Sequence, residues 1–128
     1  MTVSRQAISA SFLASILFST PSLANTVTFE CDYKTYSDEQ GNHKVDKPFR
    51  MTFLIDSKAG KAYMIGNAGS SEVEMIPNAE GFTLVEVTGT GNVMVTVIAD
   101  GGKSVHNRSG IILGDIVPSQ YYGTCTQK

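Results

Sequence analysis

Turn signals recur through the middle of this 128-residue chain at intervals of about ten or eleven residues. Each signal is a short cluster of Gly, Asn, Asp, Ser or Pro, the residues with which a chain reverses most easily. Five such clusters stand at residues 56–60, 66–69, 77–81, 89–92 and 100–102. This spacing predicts consecutive antiparallel strands joined by hairpins.

Apolar and polar residues alternate between these turns, which favours strands over helices. In the first apolar segment, for example, Phe29, Cys31 and Tyr33 share one face while Glu30 and Asp32 share the other. No segment after residue 24 carries a sustained apolar stripe with the 3.6-residue period of a helix. The segment 111–117 is predicted to be either an irregular connection or a ninth strand. Eight strands are predicted near residues 26–34, 48–56, 61–66, 71–76, 82–88, 92–99, 103–109 and 119–126.

The two cysteines of the chain favour a closed sheet. An open sheet of eight strands would leave two edges exposed, and closure removes both edges. Cys31 and Cys125 lie in the first and last predicted strands, and a disulfide requires their Cα atoms to be within about 7 Å. We therefore predict a small antiparallel up-and-down β-barrel closed by one disulfide. A β-sandwich that brings the same two ends together is the alternative.

The first 24 residues have the layout of a secretory signal peptide. Arg5 precedes an apolar run from Ala7 to Phe18, and Ser22 and Ala24 supply the small residues of a cleavage site. The run is shorter than the roughly 20 residues of a membrane-spanning helix, so we expect no membrane insertion. Residues 25–128 then form a single mature domain, periplasmic or secreted, in a compartment that oxidises thiols.

Charge and motif content restrict the function. Removal of Arg5 leaves nine Lys and Arg against twelve Asp and Glu, a formal charge of −3. These charges are mixed along the chain, which disfavours nucleic acid and anionic membranes as partners. The sequence has no G-x-S-x-G motif, and its isolated histidines lack the spacing of metal ligands. We expect a binding module, monomeric or weakly dimeric, without enzymatic activity, metal or cofactor, and a hydrolase is the least favoured alternative.

The hairpin after residue 99 gives a register for two candidate ligand-binding residues. A two-residue loop formed by Gly101 and Gly102 would place Val97 opposite His106 and Val95 opposite Arg108. The alternating valines from residue 93 to residue 97 form the more uniformly apolar face of their strand, so this face is predicted to point inward. His106 and Arg108 would then point inward as well.

A cation inside a small barrel needs a partner or a ligand, because a buried charge without one is costly. Glu86 is the candidate internal partner of Arg108. As the alternative to recognition of another protein, we predict that His106, Arg108 and Glu86 form a site for a small anionic or amphipathic molecule. The alternatives are a shifted register, or an Arg108 side chain that reaches the rim on its flexible stem.

Two surface segments are candidates for recognition of another protein. The polar segment Ser37–Lys47 is predicted to be a mobile surface loop with a solvent-facing His43. In layout the chain is similar to small-barrel periplasmic lysozyme inhibitors, which also carry a signal peptide, an early Cys in an aromatic strand and a late Cys. Their Ser-Gly-x-x-Tyr loop has its nearest counterpart in residues 59–63, which lack the serine and include Lys61 and Tyr63. The similarity implies a protein-binding role, possible contacts being His43, Lys61 and Tyr63.

Overall fold

The computed structural model describes residues 15, 26–66 and 69–128, and its strands form one closed antiparallel barrel. Each strand pairs with the next along the chain, and the last pairs with the first. The predicted up-and-down barrel is confirmed, and the sandwich alternative is wrong. The predicted signal peptide, except for Ser15, lies outside the described residues. The strands are β1 (Thr26–Asp38), β2 (Gly41–Asp56), β3 (Lys61–Gly66), β4 (Gly69–Asn78), β5 (Gly81–Val87), β6 (Val93–Ala99), β7 (Lys103–Ile112) and β8 (Asp115–Gln127).

A disulfide joins the two strands at which the barrel closes. Cys31 on β1 lies directly opposite Cys125 on β8, with a Cα–Cα distance of 3.9 Å. The predicted disulfide is therefore confirmed. Gly123, two residues earlier on β8, packs against the backbone of Asp32 so closely that a side chain at this position would overlap the Asp32 carbonyl oxygen. The seam between the first and last strands is thus both covalent and tightly packed.

Inward-facing side chains fill the interior of the barrel between its two ends. We call the end with the turns at 57–60, 79–80 and 100–102 the lower end, and the end with the turns at 39–40, 88–92 and 113–114 the upper end. Buried polar side chains, among them Glu86, Thr96 and His106, also point inward and are considered below. The apolar core consists of Cys31, Tyr33, Met51, Phe53, Ile55, Ala62, Val73, Leu84, Ile98 and Cys125.

Residues 37–44 form a paired hairpin and not a loop, so that prediction is wrong for them, whereas residues 45–47 lie at a register shift and have no partner on β1. β1 and β2 extend as a hairpin and reverse at Glu39 and Gln40, with Tyr36 opposite His43, and β1 stays paired with β8 as far as Ser37. The Asp38 carboxylate accepts a hydrogen bond from the Gln40 backbone N–H at 2.8 Å, which stabilises the turn. The polar composition of the segment hides its pairing, because both faces of this extension carry polar residues.

The segment 111–117 also belongs to a hairpin, and it is neither an irregular connection nor a ninth strand. β7 continues to Ile112, β8 begins at Asp115, and the chain reverses at Leu113 and Gly114. Both turn residues have positive φ angles, 52° and 86°, as a two-residue hairpin turn of type I′ requires.

The register predicted between β6 and β7 is wrong by one residue. The chain reverses over Asp100, Gly101 and Gly102, three residues where two were predicted. Gly102 has a φ of 91° and donates its N–H to the Ala99 carbonyl oxygen at 2.8 Å, so it closes the turn, and Asp100 is the residue added to the predicted loop. Thr96, and not Val97, therefore lies opposite His106.

The predicted inward face of β6 is wrong as well. Val93 and Val97 are exposed on the outer wall, while Thr96 and Ile98 are buried inside. A one-residue slip in register exchanges the two faces of a strand. The error in the facing direction and the error in register cancel, so His106 still points inward.

Candidate functional site

His106 is fully buried near the upper end of the barrel and is held by two hydrogen bonds. Its Nδ1 lies 2.7 Å from the Thr96 hydroxyl, and its Nε2 lies 3.1 Å from Arg108 Nε. Arg108 Nε–H can only donate, so His106 Nε2 accepts and the ring proton sits on Nδ1, which donates to Thr96. Burial, followed by the positive charge of Arg108, lowers the pKa of His106 to about 4. The imidazole is therefore neutral at physiological pH.

Arg108 is half-buried above this histidine, beside two aromatic rings that also contact each other. Its guanidinium carbon lies 4.7 Å from the centroid of Phe49 and 5.3 Å from that of Tyr121, within cation–π distance of both. None of the ion pairs among the described residues includes Arg108. The aromatic rings and His106 hold the guanidinium in place without neutralising its charge.

Glu86 is not the internal partner of Arg108, so the predicted pairing is wrong. Glu86 and Arg108 both lie opposite Met94, on the two strands that flank β6. Their Cα atoms are therefore two strand spacings apart, roughly 10 Å. Glu86 is only 8% exposed, and its Oε1 accepts a hydrogen bond from the Ser71 hydroxyl at 2.8 Å. Its buried Oε2 has no hydrogen-bond partner.

A polar pocket of about 340 Å³ opens beside Arg108 at the upper end. Residues of β1, β7 and β8 line it, and they provide hydroxyl and amide groups together with two carboxylates. Arg108 is one of its lining residues, so the pocket can take a small polar molecule beside this arginine. The lining residues are Ser37, Asp38, Glu39, Asn107, Arg108, Ser109, Pro118, Ser119 and Gln120.

His43, the first candidate for protein contacts, lies at the same end and is half-buried. Its ring stacks on Tyr36 with 4.9 Å between centroids, and its Nε2 lies 2.9 Å from Asp38 Oδ1. This hydrogen bond is the main reason why the pKa of Asp38 is lowered. Tyr36 in turn stacks on Tyr121, a neighbour of Arg108. The ring of His43 therefore belongs to an aromatic row and is about one third exposed, so it faces solvent only in part.

The other two candidates for protein contacts, Lys61 and Tyr63, lie elsewhere. Both are on the outer face of β3, because the intervening Ala62 is buried inside. Lys61 stands at the lower end, where its Nζ lies 3.4 Å from a carboxylate oxygen of Glu72. His43 and Lys61 therefore occupy opposite ends of the barrel and do not form one surface.

The most apolar exposed surface of the described residues was not predicted from the sequence. Residues 110–118 of β7 and β8 extend beyond the pairing of β6, which ends at Ser109, and beyond that of β1, which ends at Gln120. We call this two-stranded extension the ribbon. Five aliphatic side chains on it are exposed: Ile111 (67%), Ile112 (57%), Leu113 (100%), Ile116 (71%) and Val117 (43%). The apolar run on both sides of Gly114 was the available sequence signal.

Neither a metal site nor a membrane-spanning helix is found among the described residues. Among residues 26–66 and 69–128, no three His, Cys, Asp or Glu side chains are grouped so that they could hold a metal ion. Within the same described part, no helix has the length and apolar character needed to cross a membrane. Comparison of the chain with protein-family models, with curated proteins and with solved structures finds no match.

Proposed function

We propose that this chain is an exported, non-catalytic binding module that recognises another protein through the ribbon. The observation that carries the proposal is the exposure of five aliphatic side chains on residues 111–117. Together they make both faces and the tip of the ribbon an exposed apolar patch, in contrast to the singly scattered apolar residues that are common on protein surfaces. Such patches mark interaction sites because water contact with them is unfavourable.

The shape of the ribbon defines the kind of partner. Ile111 and Ile116 lie on one face, Val117 and Ile112 lie on the other, and the fully exposed Leu113 forms the tip. A flat surface would cover only one of these faces. A cleft with apolar walls in the partner protein covers both, so we assign the ribbon to a protein that offers such a cleft.

Charge favours a protein cleft over a membrane surface. Asp115 is the one ionisable residue in the stretch 109–118. Binding to anionic lipid normally uses Lys or Arg beside the apolar residues, and the ribbon tip carries neither. The net charge of −3 expected for residues 25–128 also opposes attraction to an anionic bilayer.

Export is supported by two independent features. The layout of residues 1–24 is that of a signal peptide, and the Cys31–Cys125 disulfide is consistent with an oxidising compartment. We therefore assign the chain to the periplasm or to the outside of the cell.

The test is a binding measurement with a purified partner. Immobilised residues 25–128 are used to isolate a binding protein from envelope and extracellular fractions, and its affinity is then measured with both components pure. Leu113→Asp should weaken binding by about 30-fold or more, as expected for a central apolar contact. Ile76→Asp, a matched change at an exposed aliphatic residue of β4, should change the affinity less than about threefold.

Three results would overturn the proposal. The first is equal weakening by Leu113→Asp and Ile76→Asp, which would place the contact outside the ribbon. The second is self-association of the pure chain that Leu113→Asp abolishes, since the occupant would then be a second copy. The third is ribbon-dependent binding to lipid vesicles with no protein partner recovered.

A further inference from the structure

We propose that Arg108 is the anchor of a second binding site, which takes the carboxylate group of a small monoanionic molecule in the polar pocket at the upper end. The site is separate from the surface through which the ribbon contacts a protein. The proposal is based on the hydrogen-bonding capacity of Arg108, on the orientation of its side chain and on the residues that line the pocket.

Arg108 keeps most of its hydrogen-bonding capacity free. Its Nε–H is used on His106 Nε2, and no other hydrogen bond of this guanidinium is found among the described residues. The two terminal amino groups therefore keep four N–H donors, and Arg108 is among the residues that line the pocket. Two of these donors, side by side, match the two oxygens of a carboxylate.

The surroundings of Arg108 fix the guanidinium before a ligand arrives. Phe49 and Tyr121 lie within 5.3 Å of its carbon, and the neutral His106 accepts from Nε. The Thr96 hydroxyl accepts from the other side of the imidazole and keeps its Nε2 free of a proton. Side-chain entropy lost on ligand binding is therefore small, which favours affinity. His106 and Thr96 are positioning residues in this arrangement.

The charge of Arg108 is not compensated inside the barrel. Glu86 stands two strand spacings away and is engaged by Ser71. A half-buried cation without a partner loses part of its hydration, so an anion that replaces water is favoured there. The geometry thus provides a cation that is held in place and forms no ion pair among the described residues.

The remaining pocket walls select for one charge and a small size. Asp38 and Glu39 line the same pocket, so a dianion such as phosphate would meet two negative charges near the guanidinium. A volume of about 340 Å³ lies at the lower limit of small-molecule sites. Ser119 and Asn107 add neutral hydrogen-bonding groups beside Arg108. These features favour a monocarboxylate over a polyanion.

Benzoate is a suitable probe, with benzamide as its neutral isostere and inorganic phosphate as the dianion. Binding to residues 25–128 is followed by NMR, from the resonances of the Arg108 side chain and the His106 ring. We expect saturable benzoate binding below about 10 mM. Benzamide and phosphate should each bind at least about tenfold more weakly, because the first lacks the charge and the second meets the carboxylates.

Variants distinguish benzoate binding at Arg108 from a general attraction to the positive charges of the protein. Arg108→Lys keeps the charge and loses the paired donors, so benzoate affinity should fall about tenfold, and Arg108→Gln should abolish binding. Arg50→Gln removes an exposed arginine and should leave the affinity unchanged. Leu113→Asp should also leave it unchanged, which separates this site from the ribbon.

Several results would overturn the inference. Equal binding of benzoate and benzamide would exclude recognition of the charge. Equal weakening of benzoate binding by Arg108→Gln and Arg50→Gln would indicate non-specific attraction by positive charges and not a site at Arg108. An Arg108 variant could lose its fold, so the chemical-shift changes of the wild-type protein are decisive by themselves. Benzoate-induced shifts centred away from Arg108 and His106, or no shifts below about 10 mM, would contradict the site.

Discussion

His106 lies directly opposite Thr96 across the β6–β7 pair, and its Nδ1–H donates to the Thr96 hydroxyl over 2.7 Å. Both residues are buried, so each satisfies a polar group that water does not reach. The pair lies inside the upper half of the barrel and orients the ring on which Arg108 rests.

Removal of the Thr96 hydroxyl should destabilise the barrel more than its small change in volume suggests. Thr96→Val leaves the buried His106 N–H without an acceptor, which costs about 1–3 kcal/mol. The control is Thr126→Val at an exposed position of β8, where we expect a change within about 0.5 kcal/mol. Urea unfolding at pH 7.5 measures both. A Thr96→Val variant as stable as the wild type would mean that His106 finds another acceptor.

The stability of the barrel should depend on the protonation of His106. Folding lowers the pKa of His106 from its ordinary 6.5 to about 4, so the unfolded chain binds more protons than the folded chain between these values. The free energy of unfolding contributed by this group is therefore fully present above pH 6.5 and is lost as the pH falls toward 4. The loss should reach about 2 kcal/mol at pH 5, before most carboxylates titrate.

Urea unfolding at pH 7.5, 6 and 5 measures this dependence, and His106→Gln provides the comparison because it cannot titrate. The variant should lose little stability over the same range, whatever its absolute stability. Equal slopes for the wild type and His106→Gln would show that the buried imidazole does not control acid stability.

The position of His106 inside the barrel could be predicted only through two errors that compensate. The pair Gly101-Gly102 predicted a two-residue turn, yet Asp100 also belongs to the turn, which shifts the register by one. The valines of β6 suggested the inner face, yet they cover the outer wall. Local composition did not reveal this, because both faces of β6 are largely apolar and only the barrel as a whole decides which one is inside.

Loss of the disulfide should lower stability substantially, because it closes the seam between β1 and β8. The cysteines are separated by 94 residues in sequence, and in the chain-entropy model a loop of that length contributes about 4–5 kcal/mol. Cys31→Ala combined with Cys125→Ala should therefore reduce the free energy of unfolding by up to that amount. Urea unfolding of the variant and of the reduced wild type measures the effect. A loss under about 1 kcal/mol in both would show that strand pairing alone closes the barrel.

A side chain at Gly123 should disrupt the same seam. A Cβ there would overlap the Asp32 carbonyl oxygen, and a backbone atom cannot move aside as a flexible side chain can. Gly123→Ala should cost about 2 kcal/mol or more. Gly89→Ala is the control, since a Cβ at Gly89 meets no atom within 4 Å and its φ is not in the left-handed region. Thermal unfolding compares the two, and equal melting temperatures would contradict the close packing of β8 on β1.

The closed barrel and its disulfide were predictable because turn spacing, alternation and the two cysteines all indicated the same architecture. The ribbon was not predictable from the sequence. Ile111 and Ile112 are adjacent and therefore lie on opposite faces, and such an apolar pair resembles a strand that is buried on both faces. The distance between Glu86 and Arg108 depends on the register of three neighbouring strands. An error of one residue in that register is enough to make the prediction of this distance fail. Local signals define the strands here, whereas tertiary packing decides which side chains meet.

The most direct test of the central claim, recognition of another protein through the ribbon, is site-specific photo-crosslinking in cells that export the chain. A photoreactive residue replaces Leu113 at the ribbon tip, and a second chain carries it at Ala59 in the exposed turn of the lower end. We predict one discrete adduct with a single other protein from position 113, lost when Ile116→Asp is added, and no such adduct from position 59. The same adducts from both positions, or none from position 113, would contradict the account.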